Sequence, residues 1–174
     1  MNWMNEVANI LQNYSQTNQP QGADDVAAHY HQVAQAAPPA DLASGLAAMF
    51  HSDQTPPFPQ MIGQLFSNSN GTQRANLLNT LLSSGAGAGI LSQLAASAGL
   101  SLPTGLGSTA PITPEAATQI PPAAVEQAAA QAQQHDPSII DRVSEIYAQH
   151  PTLVKTLGAA AMTIALSHLA NRRR

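Results

Sequence analysis

Residues 136–150 read DPSIIDRVSEIYAQH, and this stretch decides the fold class. Asp136-Pro137 is typical of a helix start, because a capping carboxylate followed by proline suits the free amide groups of a first turn. The apolar residues that follow recur every three or four positions, which is the period of an amphipathic helix. They are Ile139, Ile140, Val143, Ile146 and Tyr147. The stretch therefore predicts a helix that ends near His150.

The same spacing recurs on both sides of this stretch. Thr113-Pro114 predicts another helix start, and the Ala/Gln-rich run 123–134 has high helix propensity. Upstream, short apolar stripes alternate with breaks at 38–39, 55–59 and 85–89. No segment shows the two-residue alternation of a half-buried strand. We therefore predict an all-α protein, with an irregular multi-helix domain of short helices and a C-terminal helical hairpin-like unit.

The upstream stripes define the predicted core. A first amphipathic helix is expected within residues 3–14, and a second begins near Asp24, where an acidic residue suits the electropositive end of a helix. The predicted core positions of the next four helices are Val26, Tyr30, Val33 and Ala37; Leu42, Leu46, Met49 and Phe50; Phe58, Ile62, Leu65 and Phe66; and Leu77, Leu78, Leu81 and Leu82.

One segment is a linker candidate. Residues 99–112 are rich in Gly, Pro, Ser and Thr, a composition that disfavours regular structure. The expected organisation is an N-terminal helical region at 1–98, a linker at 99–112 and a C-terminal helical region at 113–174. The segment also contains Leu100, Leu102 and Leu106. A linker that packs partly against the helical regions therefore remains an alternative.

Composition excludes several functional classes. The 174 residues include no cysteine, which removes disulfide scaffolds, thiolate zinc sites and cysteine nucleophiles. The net charge is −4, and three of the six basic residues are the terminal 172–174, so we expect no nucleic-acid partner. The first 14 residues carry Glu6 and no basic residue, so no secretory signal is predicted and a cytoplasmic location is expected.

The residues that most often carry chemistry do not form a recognisable set. His29 and His31 point about 200° apart on a helix, and Asp25 with His29 falls short of the three protein ligands of a catalytic zinc. Ser44 and Ser84 lack a nucleophile-elbow context, and Gly85 to Gly89 lacks a phosphate-loop ending. We predict no catalytic residues, no metal, no cofactor and no small-molecule ligand, and so no enzyme. A metal-dependent or hydrolytic enzyme whose site is assembled from distant residues is the remaining alternative.

The last helix is the candidate functional element. Residues 156–169 carry no formal charge, and a single helix is predicted from Thr152 to Ala170. Because it is apolar around most of its circumference, we expect it to bury surface against a second copy or another protein. The expected interaction residues are Leu153, Leu157, Ala161, Ile164 and Leu169.

A membrane role is the alternative for this helix. An uncharged run of about fourteen residues is short of the ~18–20 that a membrane span needs. Peripheral contact with the inner membrane is compatible with Arg172, Arg173 and Arg174, which can meet anionic lipid. The chain would then be a membrane-associated accessory protein.

Ile112-Thr113-Pro114-Glu115 and the helices that follow, to about Pro151, resemble a group of uncharacterised bacterial small all-helical proteins, the YidB-like group. The resemblance covers under a quarter of the chain and implies a bacterial origin and an all-helical fold. The group has no assigned activity, so the resemblance implies no site. The homeodomain-like arrangement associated with such proteins lacks its DNA-reading chemistry here, because Arg142 is the only basic residue between Ala123 and His150.

Overall fold

The structure, a computed structural model, describes residues 23–99 and 111–171 together with the single positions 5, 8, 9 and 12. Within these residues the chain forms α-helices and one short 3₁₀ turn, and no strand. The predicted all-α class of short helices is confirmed. Of the helix expected within residues 3–14, the four described positions are helical.

Ten α-helices are described in full. They are α1 (Ala23–Ala36), α2 (Pro39–Phe50), α3 (Phe58–Asn68), α4 (Gly71–Leu82), α5 (Gly87–Ala98), α6 (Pro114–Thr118), α7 (Pro122–His135), α8 (Ile139–Ala148), α9 (Pro151–Val154) and α10 (Ala159–Asn171). The 3₁₀ turn, Lys155–Leu157, lies between α9 and α10.

Helix contacts group the chain into two compact units. The described part of the first unit is residues 23–57 and 144–171, and the second unit is Phe58–Val143. The expected division into 1–98, 99–112 and 113–174 stays a prediction. Most of the expected linker lies outside the described residues, so its character stays a prediction.

The first unit joins helices from the two ends of the described chain. α10 packs on both α1 and α2, and α9 packs on α1. Burying each large aliphatic or aromatic side chain contributes about 1.5–3 kcal/mol. The predicted core positions of α1 and α2 are all buried, and α9 and α10 add their own. Apart from further small residues, the buried side chains of these helices and of Ala37 after α1 are Val26, Tyr30, Val33, Ala37, Leu42, Leu46, Met49, Phe50, Leu153, Val154, Met162, Leu166 and Leu169.

In the second unit, α7 is the element on which other helices pack. α3 and α5 both contact it, and α4 contacts α6 and α7. The buried side of α7 consists of small residues, Ala124, Val125, Ala128, Ala129 and Ala132. Small side chains let the larger ones of α3 fill the interface without steric conflict. Those α3 residues are Phe58, Met61, Ile62, Leu65 and Phe66.

Local hydrogen bonds set several helix ends as the sequence predicts. Thr113 Oγ1 accepts from the Ala116 N–H at 3.3 Å and caps α6. At Asp136 the carboxylate accepts from the N–H and the hydroxyl of Ser138, at 3.1 and 2.5 Å, just before α8 begins. The cap-then-proline pattern marks the start of α6, as expected from the free N–H groups of a first turn, whereas Asp136 and Pro137 lie in the turn that precedes α8.

A side chain also ties the second unit together over a long sequence distance. Asn79 Oδ1 accepts from the Ile112 N–H at 2.7 Å, and Asn79 Nδ2 donates to the Ile112 carbonyl at 3.3 Å. One amide thus satisfies both backbone polar groups of Ile112, whose side chain is buried. This arrangement positions the chain directly ahead of α6.

Candidate functional site

The predicted interaction residues lie on α9, the 3₁₀ turn and α10, but the chain itself covers most of them. Leu153, Ala161 and Leu169 are buried, with 9%, 1% and 5% of their surface exposed. Leu157 and Ile164 are half-buried. Surface that is already covered within one chain is not available to a partner. Of the five predicted interaction residues, Leu157 and Ile164 are therefore the two that still offer surface to a partner.

The prediction of a single helix from Thr152 to Ala170 is wrong. α9 ends at Val154, the chain tightens into the 3₁₀ turn, and Gly158 separates that turn from α10. Gly158 has φ 100° and ψ 166°, a conformation far from the helical region. Because glycine lacks a Cβ atom it adopts such backbone angles without the steric cost that other residues meet. The hydrophobic pattern alone does not reveal this break.

The inner face of α10 approaches α2 closely at a glycine. A Cβ atom placed on Gly45 would lie 3.0 Å from the carbonyl oxygen of Ala165 and 3.2 Å from Leu169 Cγ. The buried positions of α10 share one side of the helix by their spacing of three and four. They are Ala161, Met162, Ala165, Leu166 and Leu169. Glycine on one helix and alanines on the other therefore permit a close helix crossing in the first unit.

The outer face of α10 is made of small residues and one large aliphatic side chain. Ala160, Thr163, Ile164 and Ser167 follow the same helical spacing, and each is exposed or half-buried. The Thr163 hydroxyl donates to the Ala159 carbonyl at 2.8 Å, so that its polar group is satisfied within the helix. We call the exposed or half-buried residues Ala160, Thr163, Ile164 and Ser167 of α10, together with the half-buried Leu157 of the preceding 3₁₀ turn, the outer face. Its apolar surface is concentrated in Leu157 and Ile164.

Tyr30 is a polar group buried in the first unit. Its side chain is 1% exposed, and its hydroxyl has no hydrogen-bond partner among the described residues. Burial disfavours the phenolate, and this raises the pKa of Tyr30 well above its ordinary value. A buried hydroxyl without a partner costs stability, since it has left water without replacing the hydrogen bond.

Replacing Tyr30 with phenylalanine is therefore expected to leave the protein as stable at neutral pH, or to stabilise it by about 1 kcal/mol. The pKa of Tyr30 is higher in the folded than in the unfolded chain. The stability that the protonated Tyr30 hydroxyl contributes, relative to the phenolate, is fully present below the unfolded pKa near 10. This stability is lost as the pH rises through the folded pKa.

Urea unfolding at pH 7 and at several values above 10 measures both effects. The Tyr30→Phe variant should lose less stability than the unaltered chain between these conditions. A loss of 1 kcal/mol or more at pH 7, roughly that of a satisfied hydrogen bond, would contradict a hydroxyl without a partner.

The two arginines within the described ranges serve local structure. Arg74 Nε donates to the carbonyls of Phe66 and Ser69 at 2.9 and 3.0 Å, and Nη2 donates to Ser67 at 3.1 Å. The guanidinium also lies over the Phe66 ring, 4.9 Å from its centroid. A cation at the carboxyl end of α3 pairs with free carbonyls and with the negative end of the helix dipole. Sequence reasoning missed this cap, because Arg74 lies on the next helix.

The second arginine belongs to a small polar cluster at the start of α8. Arg142 Nη1 donates to Ser83 Oγ at 3.2 Å, and Nη2 lies 3.8 Å from Asp136 Oδ2. The hydrogen bond from the Ser138 hydroxyl holds the pKa of Asp136 below its ordinary value, and Arg142 acts in the same direction. These contacts are exposed and explain a helix start rather than a binding site.

Histidine is the commonest metal ligand among protein side chains. Within residues 23–99 and 111–171, no three side chains from His, Asp and Glu come together as a metal would require. His31 Nε2 accepts from the Gln35 amide at 2.9 Å, one turn along α1. The glycine-rich segment 85–89 comprises the end of the turn before α5 and the first residues of that helix.

Comparison with known proteins adds no relative. No protein-family model, no curated protein and no solved structure matches the chain. The resemblance of residues 112–151 to the YidB-like group therefore stays an interpretation of the sequence. None of the described helices combines the length and the apolar character that crossing a bilayer requires.

Proposed function

We propose that the protein is a non-enzymatic interaction or self-assembly protein whose contact surface is the outer face of the carboxyl-terminal segment. The observation that supports it is the position of Leu157 and Ile164. Both are large aliphatic residues, and both stay half-exposed although the inner side of the same segment is buried. Covering them would remove apolar surface from water, which favours association.

The small residues of the outer face suit a second helix. Ala160, Thr163 and Ser167 project little from α10, so another helix can approach its axis closely. Lys155 is exposed beside Leu157 and would lie at the edge of such a contact, where a charge can stay in water. The partner proposed is a second copy of this chain or another protein, in the cytoplasm.

Replacing Leu157 and Ile164 together with aspartate tests the proposal. The two carboxylates would have to be desolvated on association, so the dissociation constant is expected to rise at least about 30-fold. Light scattering over a concentration series should then report a monomer where the unaltered chain is an oligomer, with helicity retained in circular dichroism.

A matched control places the same two charges elsewhere. Ser92 and Ala96 are exposed and one turn apart on α5, in the second unit. The Ser92→Asp, Ala96→Asp variant should associate like the unaltered chain. Flotation with anionic vesicles tests the membrane-associated alternative with the same variants. An unaltered chain that is monomeric at every concentration and does not float with vesicles would refute the proposed function.

A further inference from the structure

Gly158 holds a backbone conformation that is almost closed to other residues. Its φ of 100° and ψ of 166° lie where residues with a Cβ atom are strained. A Cβ atom placed there would meet nothing within 4 Å, so packing does not require a glycine. The glycine is needed for the break in the backbone between the 3₁₀ turn and α10.

The residues around this break are otherwise compatible with one continuous helix. Pro151 occupies the first turn of α9, a position that proline favours at a helix start. The Thr156 hydroxyl donates to the Leu153 carbonyl at 2.6 Å, as a threonine inside a helix also does. A short 3₁₀ stretch between helical segments is a common place for a hinge. Rearranging residues 155–158 alone would join α9 to α10.

A form of the chain in which α9 and α10 are one continuous helix would have to cover the inner face of α10 in a new way. That face packs on α1 and α2, with its closest approach at Gly45. A continuous helix would carry the face away from its own α2 and leave both surfaces exposed to water. A second copy in the same state offers an identical pair of surfaces, so each copy can satisfy the other.

We propose that two copies of the chain exchange α10, with residues 151–171 straightened into one helix and the inner face of each α10 packed on α1 and α2 of the other copy. This inference goes beyond the proposed function. It uses the inner face of α10, whereas the proposed contact surface uses the outer face.

Gly158→Ala is the test of this exchange. Alanine strains the broken form and favours the continuous helix, so the dimer association constant should rise by at least about 30-fold. Light scattering after concentration and slow dilution measures it. Because exchanged copies separate only when α10 leaves its site, the dimer should persist after dilution.

Gly99→Ala is the matched control. Gly99 ends α5 with φ 63°, and a Cβ atom there also meets nothing within 4 Å. Alanine strains this position of the second unit and should lower stability without raising the dimer association constant above that of the unaltered chain. Equal behaviour of the two variants would overturn the exchange.

D-alanine at position 158, introduced by semisynthesis, is expected to have the opposite effect on dimerisation to L-alanine. A D-residue adopts positive φ readily, so this variant should be more stable and should associate no more than the unaltered chain at concentrations where Gly158→Ala forms additional dimer. It also keeps the proposal testable if the L-alanine variant does not fold. Dimerisation of the D-alanine variant to a greater extent than the unaltered chain would overturn the proposal.

Adding Leu157→Asp and Ile164→Asp to Gly158→Ala separates the two proposals. An exchanged dimer should survive these charges, because its contact is the inner face. If the Asp pair abolishes association of the unaltered chain and Gly158→Ala adds no dimer, the exchange fails while the proposed function stands. If Gly158→Ala dimerises although the outer-face substitutions change nothing, the exchange stands and the proposed function fails.

Discussion

Replacing Gly87 with alanine is expected to destabilise the second unit by about 3 kcal/mol or more. Gly87 begins α5 directly after the tight turn that follows α4. A Cβ atom there would collide with the carbonyl oxygen of Leu82 and lie 3.1 Å from its carbonyl carbon. Both atoms belong to the backbone, so no side chain can rotate away, and the turn itself has to open.

The turn that would open is held by several hydrogen bonds. The Gly87 N–H donates to the Ser84 carbonyl at 3.0 Å, and the Ser84 hydroxyl donates to the Leu81 carbonyl at 2.7 Å. Ser84 is itself buried. Opening the turn would therefore disturb satisfied polar groups as well as the packing of α5 on α4 and α7.

Gly89→Ala is the control for this prediction. Gly89 is exposed within α5, and a Cβ atom there meets nothing within 4 Å. Alanine should stabilise α5 by about 0.5–1 kcal/mol, because it restricts the unfolded chain and favours the helix. Urea unfolding followed by circular dichroism should move the midpoint in opposite directions for the two variants. Movement in the same direction would contradict the close approach at Gly87.

Replacing Gly45 with alanine is expected to destabilise the first unit by about 1–3 kcal/mol. The added Cβ atom would lie 3.0 Å from the Ala165 carbonyl oxygen, and 3.2 and 3.5 Å from Leu169 Cγ and Cδ1. Leu169 can adjust its rotamer, but the carbonyl is part of α10. Relief therefore requires α2 and α10 to move apart, which loosens the contacts of their buried side chains.

Thermal unfolding checks this second prediction, again with Gly89→Ala as the alanine control. The Gly45→Ala variant should also show faster amide exchange in α10 than the unaltered chain, since α10 would lose part of its packing. A Gly45→Ala variant as stable as Gly89→Ala, with unchanged exchange in α10, would contradict the close helix crossing.

Local features of the fold could be predicted from the sequence. The stripe Val26, Tyr30, Val33 and Ala37 is buried as its spacing indicates, because helical period and burial are linked by geometry. The Thr113 cap and the proline after it mark the start of α6 for an equally local reason. Such features depend only on residues a few positions apart, so they can be read from the sequence without knowing which helices pack together.

Long-range features could not be predicted in this way. The contact of α2 with α10 joins residues more than a hundred positions apart, and periodicity does not state which helices pair. The uncharged run 156–169 predicted one helix that buries its surface against a second copy or another protein, whereas Gly158 interrupts the helix and α1 and α2 cover its inner side. The outer face is consequently narrower than the sequence suggested, and Leu157 and Ile164 are its two large residues.

The central claim is that α10 has an inner face covered by its own chain and an outer face open to a partner. Thiol labelling tests this claim most directly. The chain has no cysteine, so Ile164→Cys and Ala161→Cys each supply a single reporter. At low protein concentration the thiol from Ile164→Cys should react rapidly with a maleimide and the thiol from Ala161→Cys slowly. At high concentration the Ile164→Cys thiol should become protected by the partner. Equal reaction of the Ile164→Cys thiol at both concentrations, or rapid reaction of the Ala161→Cys thiol, would contradict the account.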